Sequence, residues 1–317
     1  MKKMPAILLS CAVLLAPVLL LAQDMTPEAT ELAPGPDLIT MPQPGLMPEG
    51  IAYDPVNDTL LVGSLSQGTI FQVADDGTLT PLTDSENLAV SAGLEVDAER
   101  NRVLAAGSGP NQNSALVGAF DLTTGEELFV TDLGALVEDG ENFFANDLAV
   151  DADGNAYITD SAAGVIYKVD VDGTPSIFVQ DDSFVGQFIL NGIAYNPDGY
   201  LVAVRNPGLI KIPLDDPTAF TEVEADGNVS GGDGIIFSDA DTLVIVSGRQ
   251  GRVIRLESSD DFATASITGE YATQPISATT AAVRGDEVYV VYARFTEPMA
   301  TEYPIEKVTF TDIEAAE

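Results

Sequence analysis

Histidine and tryptophan are absent from the 317 residues, and the one cysteine is Cys11. Without histidine no Ser-His-Asp or Cys-His pair can be assembled. Without histidine, and with one cysteine near the N-terminus, no ordinary zinc or copper site can form. Basic residues are scarce: 13 Lys and Arg stand against 50 Asp and Glu, a net charge of -37. That balance argues against nucleic acid and anionic membrane surfaces as partners. No Gly-rich phosphate loop precedes a helix. Gly63-Ser64-Leu65-Ser66-Gln67-Gly68 lacks nucleophile-elbow spacing and reads as a strand end. Long amphipathic helical patterns are missing too. A metal in this chain must be held by oxygen ligands.

The N-terminus reads as a targeting segment. Lys2 and Lys3 form a positive n-region, Ile7 to Ala22 is apolar, and Leu20-Leu21-Ala22 before Gln23 suits cleavage. Residues 1–22 therefore read as a secretory signal peptide, and the expected location is secreted or periplasmic. An uncleaved anchor fits less well, because the run is barely long enough to span and is interrupted by Pro5 and Pro17. Leu8-Leu9-Ser10-Cys11 also matches a lipoprotein box, but the apolar run continues well past Cys11. Cleavage leaves a mature chain without thiol or disulfide, whose stability outside the cytoplasm must come from its core. Residues 23–36, QDMTPEATELAPGP, are polar and Pro-rich and read as a flexible linker. No membrane contact is expected beyond the signal peptide. The acids are spread along the chain, as on the solvated surface of a salt-adapted secreted protein.

From residue 37 a repeat emerges. Glu49-Gly50-Ile51-Ala52-Tyr53-Asp54 precedes TLLVGSL and GTIFQVA, and Asn146-Asp147-Leu148-Ala149-Val150-Asp151 precedes NAYITDS and GVIYKVDV. Equivalent hexapeptides start at Ala92, Asn191 and Asp233, with a degenerate sixth at Thr279, so the starts recur every 42 to 54 residues. That period suits four short strands per unit, the blade of a β-propeller. The strands are rich in Val, Ile, Tyr and Phe, and the links carry Asp-Gly and Asn-Pro-Asp-Gly turns. The expectation is an all-β chain with one six-bladed β-propeller over 37–317. Residues 37–43, DLITMPQ, are expected to close the ring against the last blade, and IEKVTF is expected as that blade's own fourth strand. DADGN at 151–155 matches part of a calcium loop, but it sits between two strands of one blade. It and VDVDG at 169–173 read as hairpin turns.

Innermost propeller strands run along the central channel, and their first residues gather near one mouth. Here that position reads Glu49, Ala92, Asn146, Asn191, Asp233 and Thr279. Two carboxylates and two amides present four oxygens, and a formal charge of minus two neutralises a divalent hard cation. Calcium suits such a set better than magnesium, which demands stricter octahedral geometry. Singly, each residue reads as a strand-end cap; four at one repeat position read as a site. Tyr53 and Tyr195 read as core residues of the inner strands rather than catalysts.

The stretches PEGIAYD, NDLAVDADGN, LNGIAYNPDG and GDGIIFSD resemble four signatures of the senescence marker protein/gluconolactonase/luciferin-regenerating enzyme family, in order and at blade spacing, over roughly residues 45–295. The resemblance implies one calcium ion in the channel, with Glu49, Asn146, Asn191 and Asp233 at the metal positions. It also implies Asp233 as base or nucleophile. Several features depart from the family pattern. Phe144 stands where sugar-lactone hydrolases often have Arg, and so becomes a candidate substrate-binding residue. Phe143 and Phe144 either form an apolar rim or pack between blades. The last blade has no histidine, and Ile236 stands where some members carry an acidic ligand for a second calcium, so a second ion is not expected. The expected activity is calcium-dependent hydrolysis of small-molecule esters, foremost lactones, with phosphoesters as a further class. The alternative is a non-catalytic extracytoplasmic propeller that binds a small ligand or a protein partner. A strictosidine synthase-like condensing enzyme fits less well, for it would not need this calcium set. The sequence leaves the oligomeric state open.

Overall fold

The computed structural model describes residues 33–111, 113–137, 142–186, 188–297 and 299–313. The expected signal peptide, residues 1–22, and most of the expected 23–36 linker lie outside the described residues. Six sheets follow one another along the chain from Pro34 onward, antiparallel throughout except where Glu224–Asp226 pairs parallel with Thr264–Ala272 in the fifth. Their innermost strands are Ile51–Asp54, Val90–Asp97, Ala145–Val150, Leu190–Asn196, Ile235–Asp239 and Ala278–Arg284. Each inner strand touches the next, and the sixth touches the first, so the ring is closed and the fold is a six-bladed β-propeller. Among the described residues the helical elements are 3-10 turns of three residues, and no helix is long and apolar enough to cross a membrane.

The blades hold together because both faces of each sheet are buried. In a strand, consecutive side chains point to opposite faces. Leu60 therefore packs with Tyr303 toward the sixth blade, while Leu61 packs with Val103 toward the second. Leu104 meets Ile158 in the next gap, Tyr157 meets Leu201, Val202 meets Leu243, and Val244 meets Val290. Six apolar clusters thus fill the six gaps between blades. This is why the second strands read as unbroken apolar runs such as LVAV and LVIV rather than alternating patterns.

Ring closure follows the sequence expectation in one respect and corrects it in another. Leu38–Met41 pairs antiparallel with Tyr303–Lys307 and forms the outer strand of the last blade. IEKVTF therefore lies in and just beyond the third strand of that blade; the N-terminal segment supplies the fourth. The backbone N–H of Gly35 also donates to Glu287 of this blade at 2.8 Å. The fifth blade carries two extra edge strands, Glu224–Asp226 and Thr311–Asp312, that the repeat does not announce.

The two Asp-Gly stretches are hairpin turns. In 151–155 the Asp151 carboxylate accepts from Asn155 N (2.8 Å), Asn155 Nδ2 (2.8 Å) and the Tyr157 hydroxyl (2.9 Å). Gly154 and Gly173 take φ of +86° and +90°, which favours glycine. Asp54, Asp97 and Asn196 occupy the same repeat position as Asp151, and their side chains likewise accept turn N–H groups. One series of acids is thereby assigned to structure.

Candidate functional site

The six residues that start the repeats form a belt around one end of the channel. Thr279 Oγ1 donates to the carbonyl of Glu49 at 2.8 Å. Gly234 N donates to the carbonyl of Thr279 and Gly192 N to that of Asp233, both at 2.9 Å. Thr159 Oγ1 donates to the carbonyl of Asn191 at 2.7 Å. The remaining two junctions are made by close approach. The Cα of Gly50 lies against the carbonyl of Ala92, and that of Gly93 against the carbonyl of Asn146. Glycine follows four of the six start positions because a β-carbon there would strike the neighbouring blade. At Gly93 it would fall 2.6 Å from both Cα and Oδ1 of Asp147.

Within this belt the side chains of Glu49, Asn191 and Asp233 come together. Asn191 Nδ2 donates to Asp233 Oδ1 at 2.8 Å, and Glu49 and Asp233 repel each other electrostatically. Asn146 is buried on the same belt, with its Nδ2 donating to Ser161 Oγ at 2.8 Å. Ser161 Oγ in turn donates to the carbonyl of Leu190 at 2.6 Å, so the amide's orientation is fixed. Among the described residues no hydrogen bond engages Asn146 Oδ1. No three Asp, Glu, His or Cys side chains among them form a metal-holding group; the candidate set is two acids and two amides.

Two further acids occupy the channel. Asp147 accepts from its neighbour Leu148 N at 2.9 Å and from Ile193 N of the fourth blade at 3.3 Å. Glu95 lies further along, within electrostatic reach of Asp147 and of Asp97. Both line a channel cavity of about 340 Å³ that begins just beyond the belt and does not include Glu49, Asn146, Asn191 or Asp233. Tyr53 and Tyr195 are half-buried inner-strand residues packed against the apolar gaps, as expected, and they also line this cavity.

The local chemistry holds protons on these acids. Desolvation, then the charges of Asp233 and Asp147, raise Glu49 well above the ordinary carboxyl range. Desolvation pushes Asp233 up to about 7, against the opposing pull of the Asn191 hydrogen bond and the charge of Arg249. Asp147 is likewise pushed up to about 7 by desolvation, with Asp233 adding to the rise and its two backbone N–H partners opposing it. Desolvation, Asp147 and Asp97 push Glu95 to about 8. All four keep some surface open to the channel, so water there softens these shifts.

At the mouth, the neighbouring pair Phe143 and Phe144 divides. Phe143 packs into the apolar gap between the second and third blades. Phe144 meets Phe188 edge-on, with ring centroids 6.4 Å apart and planes at 83°. The Arg249 guanidinium lies 5.6 Å from the Phe188 ring centroid.

Six blades around an axial channel define the molecule as a six-bladed β-propeller, with the acids and amides at one end of its inner strands as the candidate site. No family model matches the chain, and no curated protein does. Solved structures match the fold. The allergen Mala s 1 of Malassezia sympodialis aligns at TM-score 0.73 and 21% identity, over 86% of this chain and 96% of that one. A gluconolactonase of Xanthomonas campestris aligns at TM-score 0.60 and 18% identity, over 85% and 88% of the two chains. A luciferin-regenerating enzyme aligns at TM-score 0.59 and 13% identity, over 86% and 95%. The fold resemblance to the senescence marker protein/gluconolactonase/luciferin-regenerating enzyme propellers therefore stands on structure as well as on the sequence signatures.

Proposed function

We propose that the chain is an extracytoplasmic, calcium-dependent hydrolase of lactones and related esters, acting at the channel mouth. The observation that carries this reading is the juxtaposition of Glu49 and Asp233, two mutually repelling carboxylates, with the Asn191 amide bonded to one of them. Carboxylates so placed must either keep protons or neutralise a cation, and an all-oxygen set of charge minus two fits calcium. Glu49, Asn146, Asn191 and Asp233 would hold the ion. Bound there, calcium supplies Lewis-acid polarisation of an ester carbonyl. Asp233 either takes a proton from water or attacks the carbonyl carbon directly. The Asn191 amide holds Oδ1 of Asp233, which sets the direction of its other oxygen. A carboxylate relieved of its proton by a cation is a weak base, so reactive substrates suit it better than peptide bonds. The gluconolactonase neighbour supports a lactone substrate class.

A non-catalytic binding propeller is the second reading. It is favoured by the fold neighbour of TM-score 0.73, whose name states an allergen and no reaction. Turnover of a panel of lactones, aryl esters and phosphotriesters, with calcium and with chelator, separates the two. Chelator-sensitive hydrolysis supports the hydrolase. Absence of turnover on every class with calcium present assigns the protein to the binding class.

A further inference from the structure

We propose that Phe144, Phe188 and Arg249 form a substrate-selecting rim at the channel mouth, taking a ligand with an aromatic or apolar body and placing its carboxylate on Arg249. This rests on the channel mouth being the working site.

Each rim residue is tied to a belt residue. Phe144 stands two residues before Asn146. Its N–H donates to Asp160 Oδ1 at 2.9 Å, and its carbonyl accepts from Ser161 N at 3.0 Å, so its backbone is fixed. Phe188 stands three residues before Asn191. Its carbonyl accepts from Asn206 Nδ2 at 3.2 Å, and the same amide nitrogen lies 3.3 Å from the carbonyl of Gly232, next to Asp233. Arg249 sits on a three-residue 3-10 turn of the fifth blade. Its neighbour Gln250 donates to Ser230 Oγ on the segment leading to Asp233, at 2.6 Å. The three side chains therefore stand on the face that carries the belt.

Two features point to a ligand rather than to packing. Phe188 has φ of +57°, a left-handed conformation uncommon for a bulky residue and costly to hold. That backbone conformation places its ring, only half-buried, between Phe144 and Arg249. Arg249 is exposed and, among the described residues, is the one arginine without a carboxylate in ion-pair range. In a chain with 50 acids and 13 basic residues, a cation left unpaired beside an acidic channel is a place where an anion can be accepted. Guanidinium is suited to it, because its fork matches a carboxylate while its flat face rests on an aromatic ring.

The test is calorimetric binding of 3-phenylpropionate and of its neutral amide, at saturating calcium and fixed ionic strength. Wild type should bind the carboxylate at least tenfold more tightly than the amide. Arg249→Gln should lose about tenfold for the carboxylate and leave the amide within twofold, with Arg249→Lys in between. Phe188→Leu should weaken both probes alike. An unchanged carboxylate affinity in Arg249→Gln, or no discrimination by wild type, overturns the proposal, because the anion would then be held elsewhere. A protein that hydrolyses no ester yet shows Arg249-dependent binding overturns only the hydrolase reading. Hydrolysis with carboxylate binding unaffected by Arg249→Gln overturns only the rim.

Discussion

Asn191 Nδ2 donates to Asp233 Oδ1 at 2.8 Å across the gap between the fourth and fifth blades. This bond orients one carboxylate oxygen of Asp233 toward its neighbour. Among the described residues no hydrogen bond engages the other. The pair links two roles, since Asn191 positions the group that the proposed chemistry uses.

Asp233→Asn keeps the shape and one oxygen while removing charge and basicity. Assayed at calcium concentrations that restore occupancy, it should lose hydrolysis by on the order of a hundredfold or more, the scale of a positioned acid–base group. Asn191→Ala should raise the calcium requirement and keep measurable turnover once calcium saturates. Phe144→Arg should shift preference toward polar, sugar-like lactones. Near-normal turnover by the calcium-filled Asp233→Asn protein would remove Asp233 from the chemistry.

The raised acids make stability depend on pH with a definite sign. In the unfolded chain these carboxyls ionise near pH 4, whereas in the folded chain Asp147 and Asp233 hold protons to about 7 and Glu95 to about 8. Between those limits the folded state binds more protons, so its stability falls as pH rises. Below about 4 this contribution is fully present. Chelated protein should melt at progressively lower temperature from pH 5 to 8. The gap between calcium-loaded and chelated protein should widen over the same range. Glu95→Gln should flatten the chelated curve. A gap that narrows toward pH 8 would contradict the assignment of these acids.

Gly93 leaves the space that Asp147 fills, so Gly93→Ala forces backbone against backbone. It should cost about 3 kcal/mol, the upper part of the usual overpacking range, and weaken calcium binding by displacing the belt. Gly208→Ala, where an added β-carbon meets no atom within 4 Å, is the control and should be near neutral. Equal melting temperatures for the two variants would show that the belt is not tightly packed.

Much of this architecture was legible because its physics is repeated. Each of the six hexapeptides begins within two residues of the start of an inner strand, and the glycines after four of them mark the contact with the next blade. The closing strand 38–41 was legible because a short apolar run preceded the first unit. The third-strand position of IEKVTF was not, since a β pattern states neither its partner nor its order. Within the site, Glu95 and Asp147 were missed, although the repeat carries a signal for both. Asp147 stands where four other blades have glycine, and Glu95 where four have alanine and one isoleucine. A carboxylate at such a position has to face a cavity. Arg249 was not legible, because its significance lies in the absence of an ion pair, which only the fold reveals.

The surface predicts a salt response. Eleven ion pairs join described residues, too few to neutralise 50 acids, so repulsion between carboxylates persists. Salt screens it. With calcium held saturating, the melting temperature should rise from dilute buffer to molar salt. Superimposable melting curves would show that surface repulsion does not limit stability.

If the channel mouth holds one calcium ion, calorimetric titration of calcium into chelator-stripped protein at pH 8 will show it. One tight site per chain is expected, with a melting temperature that climbs with calcium by mass action and marked weakening in both Glu49→Gln and Asp233→Asn. No heat of binding and no shift in melting temperature, or a site indifferent to both substitutions, would contradict it.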